Sequence, residues 1–317
     1  MPPKKENPRA ANRGVTKTTE SNATNIRKSV SLDFLTCKLY RKSDNILKLL
    51  PDWKCLQIVE KIAPRYRYPQ VYLLRCGGTL AIGYNERQGI MLDMSGSELR
   101  ECRKDDYYSD ELMLAYILEN GSKISRMDIA IDVISDDPHP CQPLEFRKLY
   151  KAGKLKTRMQ LNATYKDEKV SDYEGYSVYF GSESSDQIMC IYDKKSEQRL
   201  ESLLQWTRLE LRLKDAYAWV VAKVIAQEGI TAAASSKFNK VFEVQTEWYK
   251  QIMNAPQVEI PEVKRKESQY ERWLMTSVLP SLIDHLSTHP VLVRQFFNEL
   301  SEAITVRHTE NGLMLDY

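Results

Sequence analysis

The sequence predicts an α+β fold: a mainly antiparallel sheet with interspersed helices, followed by a helical C-terminal region. Three observations carry this. SRMDIAID (125–132) and WTRLELRLK (206–214) alternate apolar and polar residues, the period of a strand wet on one face. VYLLRC (71–76) and TLAIGY (79–84) flank Gly77-Gly78, a hairpin turn signal. Beyond Asp215 the apolar period changes from two to 3.6.

In order along the chain, SLDFLTCKLY (31–40) reads as the first strand, with Leu32, Phe34 and Thr36 on one face and Asp33, Leu35 and Cys37 on the other. Asp44 to Ile62 has helical spacing interrupted by Pro51. The Gly77-Gly78 hairpin follows, then a strand in GIMLDMSG (89–96) with Asp93 opposite Leu92 and Met94. DELMLAYILENG (110–121) reads as a helix with Asp110 as N-cap and Gly121 as its stop. SRMDIAIDVI is a strand, and PLEFRKLYKAG (143–153) a helix closed by Gly153. MQLNAT (159–164), GYSVYFG (175–181) and QIMCIYD (187–193) are strand-like, and WTRLELRLK completes the sheet. Helices are predicted in AYAWVVAKVIAQEG (216–229), FNKVFEVQTEWYKQIM (238–253), YERWLMTSVLPSLIDHL (270–286) and PVLVRQFFNELSEAI (290–304), with a proline-containing linker over 254–268. The predicted organisation is a basic arm over 1–30, a sheet domain over 31–214 and a helical region over 215–317.

Composition narrows the function classes. With 42% hydrophobic and 28% charged residues the chain is globular, which excludes collagen-like and wholly disordered classes. No apolar run reaches the ~18 residues of a membrane span, and no apolar stretch follows the N-terminal Met-Pro-Pro-Lys-Lys-Glu, so a soluble cytoplasmic protein without membrane partners is expected. Residues 1–30 hold seven Lys/Arg and two Glu, net +5, which leaves −2 for the rest of a chain of net +3. Such an arm, poor in large apolar side chains, is expected to be disordered and suits either non-specific nucleic-acid contact or solubilisation. The six cysteines form no C-x-x-C and the four histidines no H-x-H or H-E-x-x-H. A disulfide framework or zinc ribbon is therefore not expected, and any metal should be a hard ion, magnesium or manganese, held by carboxylates.

The strands carry charge where a plain core strand needs none. Arg126, Asp128, Ala130 and Asp132 share one face, as do Arg208, Glu210 and Arg212; Tyr192 shares its face with Cys190 and Lys194. One account is the wet face of an antiparallel sheet. The other is a polar cleft for phosphodiester chemistry, in which carboxylates hold a divalent ion and Arg/Lys bind phosphate oxygens. A tyrosine there could attack a phosphate and keep the linkage energy in a phosphotyrosine ester, with the metal or Lys194 favouring the phenolate. With 18 tyrosines in the chain, packing is the competing role for Tyr192.

The wording and order of these segments, SLDFLTCKL, IMLDMSGSELR, SRMDIAID, YSVYFGSESSDQIMCIYDKKSEQ and WTRLELRLK, resemble the replication initiation factor family. This family comprises the trans-acting Rep proteins of rolling-circle plasmids and phages and related conjugative-element relaxases. R-x-D-x-A-x-D and the couple Y-F-G-S…I-Y-D-K-K-x-E are the most specific motifs, and RWLMTSVLPSL is a weaker one. The resemblance implies metal-dependent, origin-specific nicking and joining of single-stranded DNA through a 5′-phosphotyrosine intermediate. It implies Tyr192 as nucleophile, and Asp93, Asp128 and Glu210 as metal ligands with Asp33 a fourth candidate. Asp132 would support these ligands or the fold. Arg126 and Lys194 would act at the reacting phosphate, and Lys195, Arg208 and Arg212 would bind DNA, unless they pair with the acids instead. The partners implied are an origin hairpin or exposed single strand, a second copy of the chain and a host helicase. The H-U-H histidine pair of many other rolling-circle nickases is absent, so carboxylates must hold the metal. Two alternatives are a DNA-binding replication or regulatory protein that does not cleave, and a metal nuclease that uses water while Tyr192 only packs.

Overall fold

The computed structural model describes residues 26–40, 50–65, 67–85, 88–136, 139–166, 175–198 and 205–263, and beyond them 274, 278–288, 293 and 298–299. One compact unit runs to Pro261 and a second from Glu262 to Tyr317. The first is built on a ten-stranded sheet in the order β2-β3-β4-β5-β1-β6-β11-β10-β9-β8. The strands are β1 (Ile26–Leu39), β2 (Ile58–Ile62), β3 (Gln70–Leu74), β4 (Thr79–Ile82), β5 (Ile90–Ser95), β6 (Gly121–Ser135), β8 (Leu161–Lys166), β9 (Tyr176–Phe180), β10 (Gln187–Asp193) and β11 (Gln205–Lys214). Every neighbouring pair is antiparallel. β7 (Leu155–Lys156) pairs separately with β12 (Glu243–Val244).

The alternation sorts each strand between two faces. Met127, Ile129 and Ile131 of β6, Leu209, Leu211 and Leu213 of β11, and Met189 and Ile191 of β10 are fully buried. They belong to one core with Met113, Leu114 and Ile117 of α2 (Asp110–Asn120), Phe146 of α3 (Pro143–Lys151) and Val221, Ala222 and Ile225 of α5 (Asp215–Glu228). Helices thus cover one face of the sheet, and the charged side chains stand on the other. Because α5 packs on β6 and β11, and α6 (Ile230–Val241) on β1, these two helices belong to the sheet unit. The compact boundary lies after Pro261, not at the expected 214/215.

Several elements differ from the sequence reading. β1 begins at Ile26, not near Ser31, because Ile26 to Leu32 extend the ladder with β6 as far as Ser135. Arg27 and Lys28, counted with the arm, are strand residues, pairing Asp136 at 3.3 Å and the Ile252 carbonyl at 2.6 Å; residues 1–25 lie outside the described residues. Between Asp44 and Ile62 the described part is a 3-10 turn over Lys54–Leu56 and then β2, where Ile58, Val59 and Ile62 suit a strand. The helix predicted from 238 to 253 breaks: α6 ends at Val241, Phe242 turns extended to pack 4.9 Å from Phe180, and α7 (Glu247–Ile252) follows β12. Ser109, not Asp110, caps α2, its hydroxyl accepting from the Leu112 N–H at 3.1 Å. In the second unit α8 (Leu279–Thr288) overlaps the end of the predicted helix 270–286 and runs just beyond it; the helix predicted over 290–304 falls almost entirely outside the described residues.

The most consequential difference is a β-bulge. Opposite β6, Leu32 pairs with Ile129 and Phe34 with Asp128, so Asp33 is one residue too many. The bulge shifts the phase of β1: Leu32 joins Leu35 and Cys37 in the core, while Asp33 and Phe34 turn to the polar face. This corrects the predicted faces of 32–37. β5 pairs with β1 only as far as Ser95 opposite Phe34, which leaves the Leu32 backbone without a strand on that side. A side-chain pair replaces it. Asp110 accepts from the Leu32 N–H at 3.0 Å, and Arg103 donates to the Leu32 carbonyl at 2.5 Å. Arg103 and Asp110 are bound to each other at 2.9 Å.

Asp110→Ala therefore strips a buried N–H and the Arg103 guanidinium of their partner, and a loss of about 3 kcal/mol in urea unfolding is expected. A second prediction concerns Lys237 in α6, which is 5% exposed with its ammonium 5.3 Å from the Tyr217 ring centre. Burial, then repulsion from Lys240, lowers its pKa to about 8 from 10.5. Between these values the unfolded chain holds more protons than the folded one, so this residue's contribution to stability rises with pH across that window. Lys237→Met should be more stable at pH 7, on the order of 2 kcal/mol, and should lack that rise in melts between pH 8 and 10.

Candidate active site

On the polar face, neighbouring strands line up side chains in cross-strand rows. One row reads Asp132, Arg208, Tyr192, Ser177, Tyr165 across β6, β11, β10, β9 and β8. The next reads Ala130, Glu210, Cys190, Tyr179, Ala163, and a third places Phe34, Asp128 and Arg212 together. A cleft of about 520 Å³ opens over these rows. It brings together Tyr192, Lys194, Arg126, Asp33, Asp128, Glu210 and Arg212.

The Tyr192 hydroxyl donates to Glu210 Oε2 at 3.0 Å, and Lys194 Nζ donates to the Tyr192 hydroxyl oxygen at 3.5 Å. Lys194 opens α4 (Lys194–Glu197), whose N-cap Asp193 accepts from the Ser196 N–H at 3.0 Å, and it is paired with Glu197. Burial, and next the Glu210 charge, push the Tyr192 pKa above its ordinary value, so the phenol is protonated at neutral pH. An attack by this oxygen needs a base, and Glu210 stands at hydrogen-bond distance.

The acids of the cleft are bound to arginines. Arg212 Nε lies 2.7 Å from Glu210 Oε1 and 3.9 Å from Asp128 Oδ2, between the two carboxylates. Arg126 grips Asp128 at 2.5–3.2 Å and stacks 4.3 Å over the Phe34 ring. Arg208 takes Asp132 in a fork at 2.7 and 2.8 Å and Asp33 at 2.5 Å, while Trp206 adds a 2.8 Å bond to Asp132. Burial raises the Asp128 pKa to about 6, with the nearby Glu210 charge adding to it and Arg126 opposing it.

The predicted residues differ in reach. The Arg126 and Arg212 side chains are 36% and 32% exposed, so their outer N–H groups can meet a phosphate. The Arg208 side chain is 4% exposed and turned onto two acids, which makes it an internal counter-ion. Asp93 accepts from the Thr36 hydroxyl and does not line the cleft, nor does Lys195. Among the described residues, no three Asp, Glu, His or Cys side chains converge to hold a metal ion. As arranged, Asp33, Asp128 and Glu210 fit arginines rather than a shared cation. The sequence reading missed Ser95, Gly96, Ser177, Tyr179 and Glu197, which also line the cleft. Each had a visible signal: Ser177 and Tyr179 share the period-two face of β9, Glu197 is the last letter of I-Y-D-K-K-x-E, and Ser95 and Gly96 lie within IMLDMSGSELR.

Gly96 begins α1 (Gly96–Cys102) directly against the bulge: an added Cβ would lie 2.4 Å from Asp33 Oδ1 and 2.9 Å from the Asp33 carbonyl. Gly96→Ala should cost about 1–3 kcal/mol in chemical denaturation. Adding Asp33→Ala, which removes the nearer atom, should recover part of that cost. Strict additivity of the two substitutions would contradict the contact.

A family model described as replication initiation factor matches residues 122–286. The protein named DNA relaxase NicK of Bacillus subtilis (strain 168) is 29% identical over 233 residues, covering 67% of this chain. The chain spans 63% of that relative's length. The solved structure of a rolling circle replication initiator protein from Geobacillus stearothermophilus superposes with a TM-score of 0.56 at 19% identity, over 74% of this chain and 94% of that one, and shows the same fold. The family match takes in R-x-D-x-A-x-D, Tyr192 and the Arg208–Arg212 strand over just over half of the sequence; the chain belongs to the replication initiation factor family.

Proposed function

We propose that this cleft nicks and rejoins single-stranded DNA as a rolling-circle initiator or relaxase, with Tyr192 as the nucleophile. One observation carries the reading: the Tyr192 oxygen sits between a carboxylate at 3.0 Å and an ammonium at 3.5 Å, in an arginine-lined cleft. The family membership and the relaxase-named relative support it.

The scissile phosphate lies over Tyr192, its oxygens facing the free N–H groups of Arg126 and Arg212. The phenol oxygen attacks phosphorus as its proton passes to Glu210, and the Lys194 charge stabilises the oxygen while it carries negative charge. The bond from phosphorus to the 3′ oxygen breaks, and that oxygen takes a proton from water. The products are a free 3′-hydroxyl and a 5′-phosphotyrosine adduct. In rejoining, the 3′-hydroxyl gives its proton to water as it attacks the adduct, the bond from phosphorus to the tyrosyl oxygen breaks, and Glu210 returns the proton to Tyr192. One diester replaces another, so no outside energy source is needed. A host helicase to displace the strand and a second copy of the chain to resolve it complete the proposal.

The test uses labelled single-stranded oligonucleotides tiling the DNA around the coding gene, with magnesium or manganese present. Tyr192→Phe should lose cleavage and the protein–DNA adduct on denaturing gels while binding stays within about twofold. Glu210→Gln should cleave about 10²- to 10⁴-fold more slowly. Unchanged cleavage by Tyr192→Phe would remove the residue from the reaction, and cut ends without adduct would favour attack by water.

A further inference from the structure

Beyond the charged cluster, the row through Tyr192 continues over Ser177 to Tyr165 on β8, the edge strand of the sheet. Tyr165 is 60% exposed. Its ring meets that of Tyr179 with centres 5.6 Å apart at 79°. Tyr179 itself lines the cleft. A single exposed tyrosine needs no explanation. Two in edge-to-face contact, one reaching into the cleft and the other standing open on the same sheet face, form a surface continuous with the site.

The spacing suits a nucleotide. Neighbouring strands lie about 4.8 Å apart, so the Tyr165 backbone is about 10 Å from that of Tyr192. The small Ser177 side chain stands between them in the row and lines the cleft. On one side of Tyr192 stand the arginines that meet phosphate; on the other, towards the sheet edge, stands the aromatic pair.

We propose that Tyr165 and Tyr179 form a stacking platform for a nucleobase next to the phosphate held at Tyr192. The inference rests on the DNA reading above and adds a base-binding subsite to it. Stacking on aromatic rings is available to every base, so the platform holds the unpaired strand in place without reading its sequence. It also favours single strands over duplex, whose bases are already stacked on one another.

The experiment is fluorescence anisotropy with a labelled dT 20-mer and an abasic 20-mer of the same backbone, in the Tyr192→Phe background so that no cleavage intrudes. The parent should bind the dT strand more tightly than the abasic one. Tyr165→Ala should weaken dT binding about tenfold and leave abasic binding within twofold, and Tyr165→Phe should restore it. Tyr179→Phe should behave like the parent and Tyr179→Ala like Tyr165→Ala, with thermal melts reporting whether the fold is kept. Equal dT binding by parent and Tyr165→Ala, or equal losses for dT and abasic strands, would overturn the platform alone. A parent that binds neither strand would overturn the DNA reading with it.

Discussion

The site depends on arginine–carboxylate pairs laid across strands. Asp33, Asp128, Asp132 and Glu210 are largely removed from water, and acids so placed are tolerated only when their charge is answered. Arg208 answers two of them and Arg212 spans the other two. Because Glu210 is fixed by Arg212, its second oxygen is left to hold the Tyr192 hydroxyl. The phenol is thus positioned by a chain of charge-assisted bonds anchored in β11 and β6.

The sheet supplies the rigidity that the chain of bonds needs. With one face sealed by α2, α3 and α5, the register of β6, β11 and β10 cannot slip without turning leucines to water. That same constraint fixes which side chains stand opposite one another on the polar face. The exception is Asp33, which reaches Arg208 only because a bulge shifts the phase of β1, and the bulge persists because Arg103 and Asp110 take up the Leu32 backbone. Gly96 leaves room for the result.

Period two in β6 and β11 was enough to place Arg126, Asp128, Asp132, Arg208, Glu210 and Arg212 on one face, and the I-Y-D-K-K wording drew attention to Tyr192. What alternation could not reveal was who pairs with whom. Arg208 and Asp33 are 175 positions apart, and their meeting depends on strand order rather than on any local pattern. The bulge has no residue signature, since Asp33 is followed by Phe34 rather than by a glycine, so the faces of 32–37 were misread. The helical spacing before Ile62 misled for a related reason: β-branched residues joined an existing sheet edge. The carboxylates that the resemblance assigns to a metal are paired with arginines, and that pairing depends on side-chain direction, which residue types do not carry.

The central claim is that one particular phenol becomes bonded to DNA. Its most direct test is to trap the reaction on single-stranded substrate, digest with nuclease and trypsin, and locate the residual nucleotide by tandem mass spectrometry. The account predicts a phosphonucleotide on the peptide containing Tyr192 and on that tyrosine alone. A nucleotide on any other side chain, or cleaved DNA with every tyrosine unmodified, would contradict it.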